Sequence, residues 1–197
     1  MRLIFATNNT HKTEEIRALL PDDFTVVTLE EAGVHDDIPE PHDTLQDNAA
    51  EKARTVYALT HSNCFSDDTG LEVYALNNEP GVHSARYAGE GRSFEKNIDK
   101  LLQKMEQVRD RSARFRAVIC LVLDGQEYYF EGICEGKILE ERKGVEGFGY
   151  DPVFVPDGAN KSFAEMSMEE KNNYSQRGMA VAALVAYLKQ ISINVNN

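Results

Sequence analysis

Cysteine is scarce and scattered: Cys64, Cys120 and Cys134 are the only three in 197 residues. No Cys-x-x-Cys pair occurs, which excludes a cysteine-held zinc site, and three separated thiols exclude a disulfide framework. Each lies in an apolar stretch, so reduced core thiols in a cytoplasmic protein are expected. Long hydrophobic runs are also missing. Leu3-Ile4-Phe5-Ala6 is too short for a signal peptide, and Met179 to Leu188 is about half of a membrane span, so no membrane partner is expected. Basic residues are the minority, 21 Lys and Arg against 33 Asp and Glu, for a formal charge of −12. That excess repels phosphate backbones and excludes a nucleic-acid partner held by general electrostatic attraction. A small anionic substrate remains possible where local cations or a bound metal reverse the field. No histidine pair has metal-ligand spacing, and no Gly-x-Ser-x-Gly elbow, P-loop or internal repeat is present.

What remains is a globular composition, with 42% hydrophobic and 27% charged residues. The length suits a chain that buries about 70% of its unfolded surface without staples. Leu3 to Ala6 reads as a short buried strand running into Thr7-Asn8-Asn9-Thr10. His11 to Leu20 has helical spacing, and Phe24 to Leu29 is a second strand. An acidic, proline-containing loop covers Glu30 to Asp43. Thr44 then caps a helix reaching about Leu59, with Asp47 as its acidic partner. Asn63 to Ser66 reads as a strand that stops at Asp67-Asp68-Thr69-Gly70, with extended structure resuming over Leu71 to Leu76. Asn77 to Gly91 is expected to be loop, and Ser93 to cap a helix whose apolar stripe is Phe94, Ile98, Leu101, Leu102 and Met105. Ala113 to Leu123 is apolar on both faces, as in the middle of a sheet covered on both sides. Asp124-Gly125 turns it into Tyr128-Tyr129-Phe130 as a hairpin. Ser167 and Glu170 form a capping-box pattern, and a final helix spans Gly178 to Gln190. The mixture predicts a single α/β (mixed α+β) domain over residues 1–197.

Four segments could carry chemistry. In Thr7 to Lys12, the amides at a helix start favour an anion, while Lys12 in the first turn opposes the helix dipole unless an anionic ligand sits there; a polar cap with an exposed lysine reads equally well. Adjacent Asp67 and Asp68 need a metal, a basic partner or open water, and Mg²⁺ suits one or two carboxylates completed by water and phosphate. Glu40 and Asp43 could add a second carboxylate. Gly144 to Pro152 sets Phe148 and Tyr150 among glycines that let backbone approach a ligand closely. Lys171 with Gln176-Arg177-Gly178 places cations and an amide before the last helix, a pattern shared by ordinary solvated charge.

Taken in order, Phe5-Ala6-Thr7-Asn8-Asn9 with Lys12, Asn48-Ala49 with Lys52-Ala53, and Ser66-Asp67-Asp68-Thr69-Gly70-Leu71 begin a longer pattern. Pro80-Gly81-Val82 with Ser84-Ala85-Arg86-Tyr87, Gly147-Phe148-Gly149-Tyr150-Asp151-Pro152, and Glu169-Glu170-Lys171 with Ser175 and Arg177-Gly178 complete it. This series, covering nearly the whole chain, resembles the inosine triphosphate pyrophosphatase family of house-cleaning enzymes. The resemblance implies hydrolysis of non-standard purine nucleoside triphosphates (ITP, dITP, XTP) to monophosphate and pyrophosphate. It also implies a homodimer and a long central mixed sheet flanked by helices, with two lobes and the nucleotide in the cleft between them.

Carried onto this chain, the resemblance makes Asp68 the catalytic base and a metal ligand, with Glu40 as the second carboxylate near Mg²⁺. Thr7, Asn8, Asn9, Thr10, His11 and Lys12, with Lys52 and Thr69, would hold the triphosphate. Phe148 would stack on the base, and Gly149, Tyr150 and Asp151 would line the base and sugar pocket. Lys171, Gln176 and Arg177 would close over the base edge. Gln176 departs from the family's usual histidine: its amide can donate to a 6-oxo group but carries no charge. Two other readings stay open, a house-cleaning pyrophosphatase for other modified nucleotides and a nucleotide-binding protein without catalysis.

Overall fold

The computed structural model describes residues 1–36 and 38–195. Their strands are β1 (Arg2–Phe5), β2 (Thr25–Val27), β3 (Cys64–Val73), β4 (Glu79–Gly81), β5 (Ser112–Leu123), β6 (Gln126–Ile138) and β7 (Phe154–Pro156). The helices are α1 (Thr10–Leu19), α2 (Leu45–Thr60), α3 (Phe94–Lys104), α4 (Met168–Asn172) and α5 (Gln176–Val195). The strands form one mixed sheet of order β2-β1-β3-β5-β6-β7, with β4 paired to β3. β1 runs parallel to β2 and β3, whereas β4 is antiparallel to β3 and β7 to β6.

The chain divides into two compact units, each built from separated segments. The first comprises Met1–Asp68, Ala117–Gly132 and the chain from Arg177 on. Successive strand residues point to opposite faces, so its core has two halves. Leu3, Phe5, Phe65, Ile119 and Leu121 pack with Ile16 of α1 and Val181, Leu184 and Leu188 of α5. Ile4, Ala6, Cys64, Cys120 and Val122 pack with Ala49, Ala53 and Val56 of α2. Apolar residues on both faces of β5 in this unit are therefore explained by helices on both sides. Phe5 and Phe65 stack with ring centroids 4.6 Å apart.

The second unit comprises Thr69–Arg116 and Ile133–Gln176. Its core joins Leu71, Val73, Phe115, Ile138 and Phe154 to Ile98, Leu101 and Met105 of α3 and to Phe163. All three cysteines are buried and free, and burial pushes each thiol up to about 12, which makes them packing residues.

The caps form as the sequence predicts. The Thr44 hydroxyl accepts from Asp47 N–H at 3.1 Å, and Ser167 with Glu170 closes a capping box. Four expectations fail. Asp67 and Asp68 do not end a strand: β3 runs unbroken from Cys64 to Val73. Neighbouring cations neutralise the pair, so the backbone need not break to reach water. Residues 77–91 are not all loop, since they hold β4 and a 3₁₀ turn at Ser84–Arg86. β6 continues to Ile138 and pairs with β7, which is too short to signal itself. Phe94 opens α3 but lies outside its buried stripe at 39% exposure, tilted against Phe148 with centroids 6.1 Å apart.

Candidate active site

In the first unit, β1 delivers Thr7 to Asn9 to the start of α1. Thr7 Oγ1 accepts from Asn9 N–H at 3.2 Å, and Asn9 caps α1 by accepting from Lys12 N–H at 3.3 Å. The Lys12 ammonium lies 3.0 Å from Asp67 Oδ1, so a carboxylate offsets its unfavourable place on the helix dipole. Asn8, Thr10 and His11 are exposed.

The alternation of β3 sends the two aspartates to opposite faces. Asp67 is fully buried. Arg177 donates to its Oδ2 through Nε at 3.2 Å and Nη2 at 3.1 Å, while Nη1 pairs with Glu15. Burial by itself would raise the Asp67 carboxyl. Lys12, Arg177 and Lys52 outweigh it and hold the group well below the ordinary carboxylate range. Asp68 moves the other way. Burial, reinforced by Glu40 and Asp67, raises its carboxyl in spite of Lys52 and Lys12. The two neighbouring carboxyls are thus pushed in opposite directions, Asp67 down and Asp68 up.

Lys52, on α2, joins the group. Its ammonium pairs with Glu40, donates to the Asp67 carbonyl at 2.8 Å, and lies 3.9 Å from Asp68 Oδ1. Burial would lower its pKa, but Asp68, Glu40 and Asp67 raise it, so it stays charged. Among the described residues no cluster of three or more His, Cys, Asp or Glu side chains is arranged for a metal. Asp68 and Glu40 nevertheless both approach one cationic group, the Lys52 ammonium. Two hard oxygen donors converging on a cation fit Mg²⁺, which takes one or two carboxylates and completes its shell with water and phosphate.

The second unit holds the other candidates. Asp151 Oδ2 accepts from Lys171 Nζ at 2.6 Å and from Phe148 N–H at 2.8 Å. Lys171 Nζ also stands 5.0 Å from the Phe148 ring centroid, a cation–π distance. Gly147 has φ +74, and a Cβ there would overlap the Asp151 carboxylate, so only glycine admits this loop. Tyr150 donates its hydroxyl to the Ser84 carbonyl at 2.8 Å, and Asn97 donates to the same carbonyl and to Ala85. Gly149 and Thr69 are half-buried. The Gln176 Oε1 atom is buried and accepts no hydrogen bond among the described residues.

Residues expected to act together are thus grouped by unit. Glu40, Lys52 and Asp68 meet, as do Phe148, Asp151 and Lys171. Arg177 belongs to the first unit, its guanidinium engaged by Asp67 and Glu15, while Lys171 and Gln176 belong to the second. Glu15, which pairs with Arg177, carries no motif of its own in the sequence. Its one signal is the spacing of three from Lys12, which puts both on one face of α1. Asp67 likewise has no role legible in the sequence, because only the fold brings three cations to it.

A sheet-borne pair of buried carboxyls set among buried cations is the kind of site that an α/β enzyme acting on an anionic substrate can use. Comparison with known proteins makes this particular. The Ham1 family profile matches residues 3–187, and the chain belongs to that family. It is 48% identical over 188 residues to a dITP/XTP pyrophosphatase of Flavobacterium johnsoniae, covering 95% of this chain and 98% of that one. It is 52% identical over 188 residues to a dITP/XTP pyrophosphatase of Porphyromonas gingivalis, covering 95% and 97%. The solved Ham1 protein of Staphylococcus aureus superposes with a TM-score of 0.87 at 37% identity, covering 96% of this chain and 99% of that one.

Proposed function

We propose that this protein is a nucleoside triphosphate pyrophosphatase that hydrolyses non-standard purine nucleotides, ITP, dITP and XTP, to the monophosphate and pyrophosphate. The observation that carries the reading is the cluster of Glu40, Lys52 and Asp68, beside Lys12 paired to the buried Asp67. Asp68, its carboxyl raised by burial, takes the proton of the attacking water at a carboxylate oxygen. Asp67 stays anionic and holds Lys12 in place. Lys12 and Lys52 grip the polyphosphate, aided by the positive end of the α1 dipole. Mg²⁺, when held by Asp68 and Glu40, supplies charge screening on the phosphates.

On the base side, Phe148 offers a stacking face steadied by the Asp151–Lys171 pair. Lys171 and the Gln176 amide are the donors suited to a 6-oxo purine. The 6-amino group of adenine would leave such donors desolvated and unpaired, which discriminates strongly against it. A homodimer in the cytoplasm belongs to the same reading. Its support is the family resemblance; separately, no described helix is long and apolar enough to cross a membrane.

The test is hydrolysis of ITP, dITP, XTP, GTP and ATP with and without Mg²⁺, with pyrophosphate and phosphate measured separately. Pyrophosphate from the first three, lost in chelator, is expected. Asp68→Asn should abolish turnover while the protein stays folded; near-normal turnover by that variant would remove Asp68 from the mechanism.

A further inference from the structure

Glu40 sits in a segment whose backbone is short of hydrogen-bond donors. Pro39 and Pro41 flank it, and neither has an N–H to donate. A proline also drives the residue before it into extended conformation, so Ile38 and Glu40 are both restricted. The stretch is a stiff strut, and among the described residues Ile38, Pro39, Pro41, His42 and Asp43 make no backbone–backbone hydrogen bond. A side chain of α2 meets this strut two residues beyond Glu40.

That side chain is Asn48, on the first turns of α2 and only 2% exposed. Its Oδ1 accepts from His42 N–H at 2.9 Å, and its Nδ2 donates to the His42 carbonyl at 3.1 Å. One side chain thus satisfies both backbone groups of one residue, as a neighbouring strand would. Asn48 and Lys52 are four apart on α2 and share a face. The helix therefore grips the segment twice, by its backbone at His42 and by its carboxylate at Glu40. Two extended residues span about 7 Å, so pinning His42 confines Glu40 to a small volume over Lys52. The His42–Glu51 pair at 3.6 Å is surface-exposed and adds little.

We propose that Asn48 is a positioning residue for the acidic carboxylate: it clamps the proline strut so that Glu40 is presented for cation binding. This rests on the assignment of Glu40 to magnesium made above. The test compares Asn48→Ala and Asn48→Asp, each alone and in a Glu40→Gln background. Magnesium titrations of ITP hydrolysis and hydrogen exchange at the His42 amide are the readouts.

Asn48→Ala should raise the half-saturating Mg²⁺ about tenfold, the scale of losing an outer-shell partner, with turnover at saturating Mg²⁺ preserved. It should also speed His42 exchange and add nothing in the Glu40→Gln background. Asn48→Asp keeps the acceptor for the His42 amide, so it should retain protection there with a smaller magnesium shift; it carries the test if the alanine variant does not fold. An unchanged magnesium requirement, or an equal shift with and without Glu40, overturns the proposal. Should Glu40→Gln alone leave the requirement untouched, the magnesium assignment fails instead. The clamp is then judged at the His42 amide, where faster exchange in Asn48→Ala supports it and unchanged exchange refutes it.

Discussion

Replacing Asp67 by asparagine removes one charge from the most enclosed part of the first unit. Arg177 is 2% exposed and donates twice to the Asp67 carboxylate, and Lys12 lies 3.0 Å from its other oxygen. Taking one partner from a buried pair leaves the other charge uncompensated in a poor solvent, a loss of about 3–5 kcal/mol. Glu15 still engages Arg177, and the amide oxygen can still accept, so the lower end, about 3 kcal/mol, is expected. For a chain of this length that corresponds to a melting temperature lower by roughly 6–12 °C.

The pH dependence gives the argument its sign. The folded Asp67 carboxyl lies below its ordinary value of 3.8, so ionisation favours the fold. That contribution is fully present above the unfolded pKa of about 3.9 and fades as pH falls through the folded value. Urea unfolding of wild type and Asp67→Asn should therefore differ by a constant amount from pH 7 down to about 4, then converge in acid. Equal stabilities at pH 7, or a gap that persists unchanged into acid, would refute the electrostatic account of Asp67.

Two further predictions concern binding. Lys12→Ala should raise KM for ITP by about tenfold or more, the scale of a charge-assisted hydrogen bond, with a smaller change in kcat; steady-state kinetics showing neither parameter altered would count against its grip on phosphate. Asp151→Asn keeps an acceptor for Phe148 N–H but breaks the buried pair with Lys171, 2.6 Å away. It should raise KM for ITP several-fold and narrow the preference for ITP over ATP, and a substrate panel with unchanged preference would show that the Phe148 loop is held by other means.

Much of the fold is legible one residue at a time because it depends on local chemistry. Thr44, Ser93 and Ser167 announce helix starts, since a cap answers to the next three amides alone. The doubly apolar β5 announces helices on both faces. Phe94 misleads because helical spacing places a side chain on a face without revealing what that face meets. β7 is missed because three residues carry too short a period to read.

The sequence by itself determined most of the longer elements, the order of the motifs and the kind of chemistry, through hydrophobic spacing, caps and residue types that act over a few positions. It also supplied Asp68, Glu40, Lys12 and Lys52 as separate candidates. Only the tertiary structure decided that Asp67 and Asp68 lie inside one strand and hold their protons oppositely. The cause is charge brought from remote segments: Lys12, Lys52 and Arg177 surround Asp67, while burial and Glu40 act on Asp68. Coulomb interactions fall with distance in space, not along the chain, so no local pattern could assign those roles.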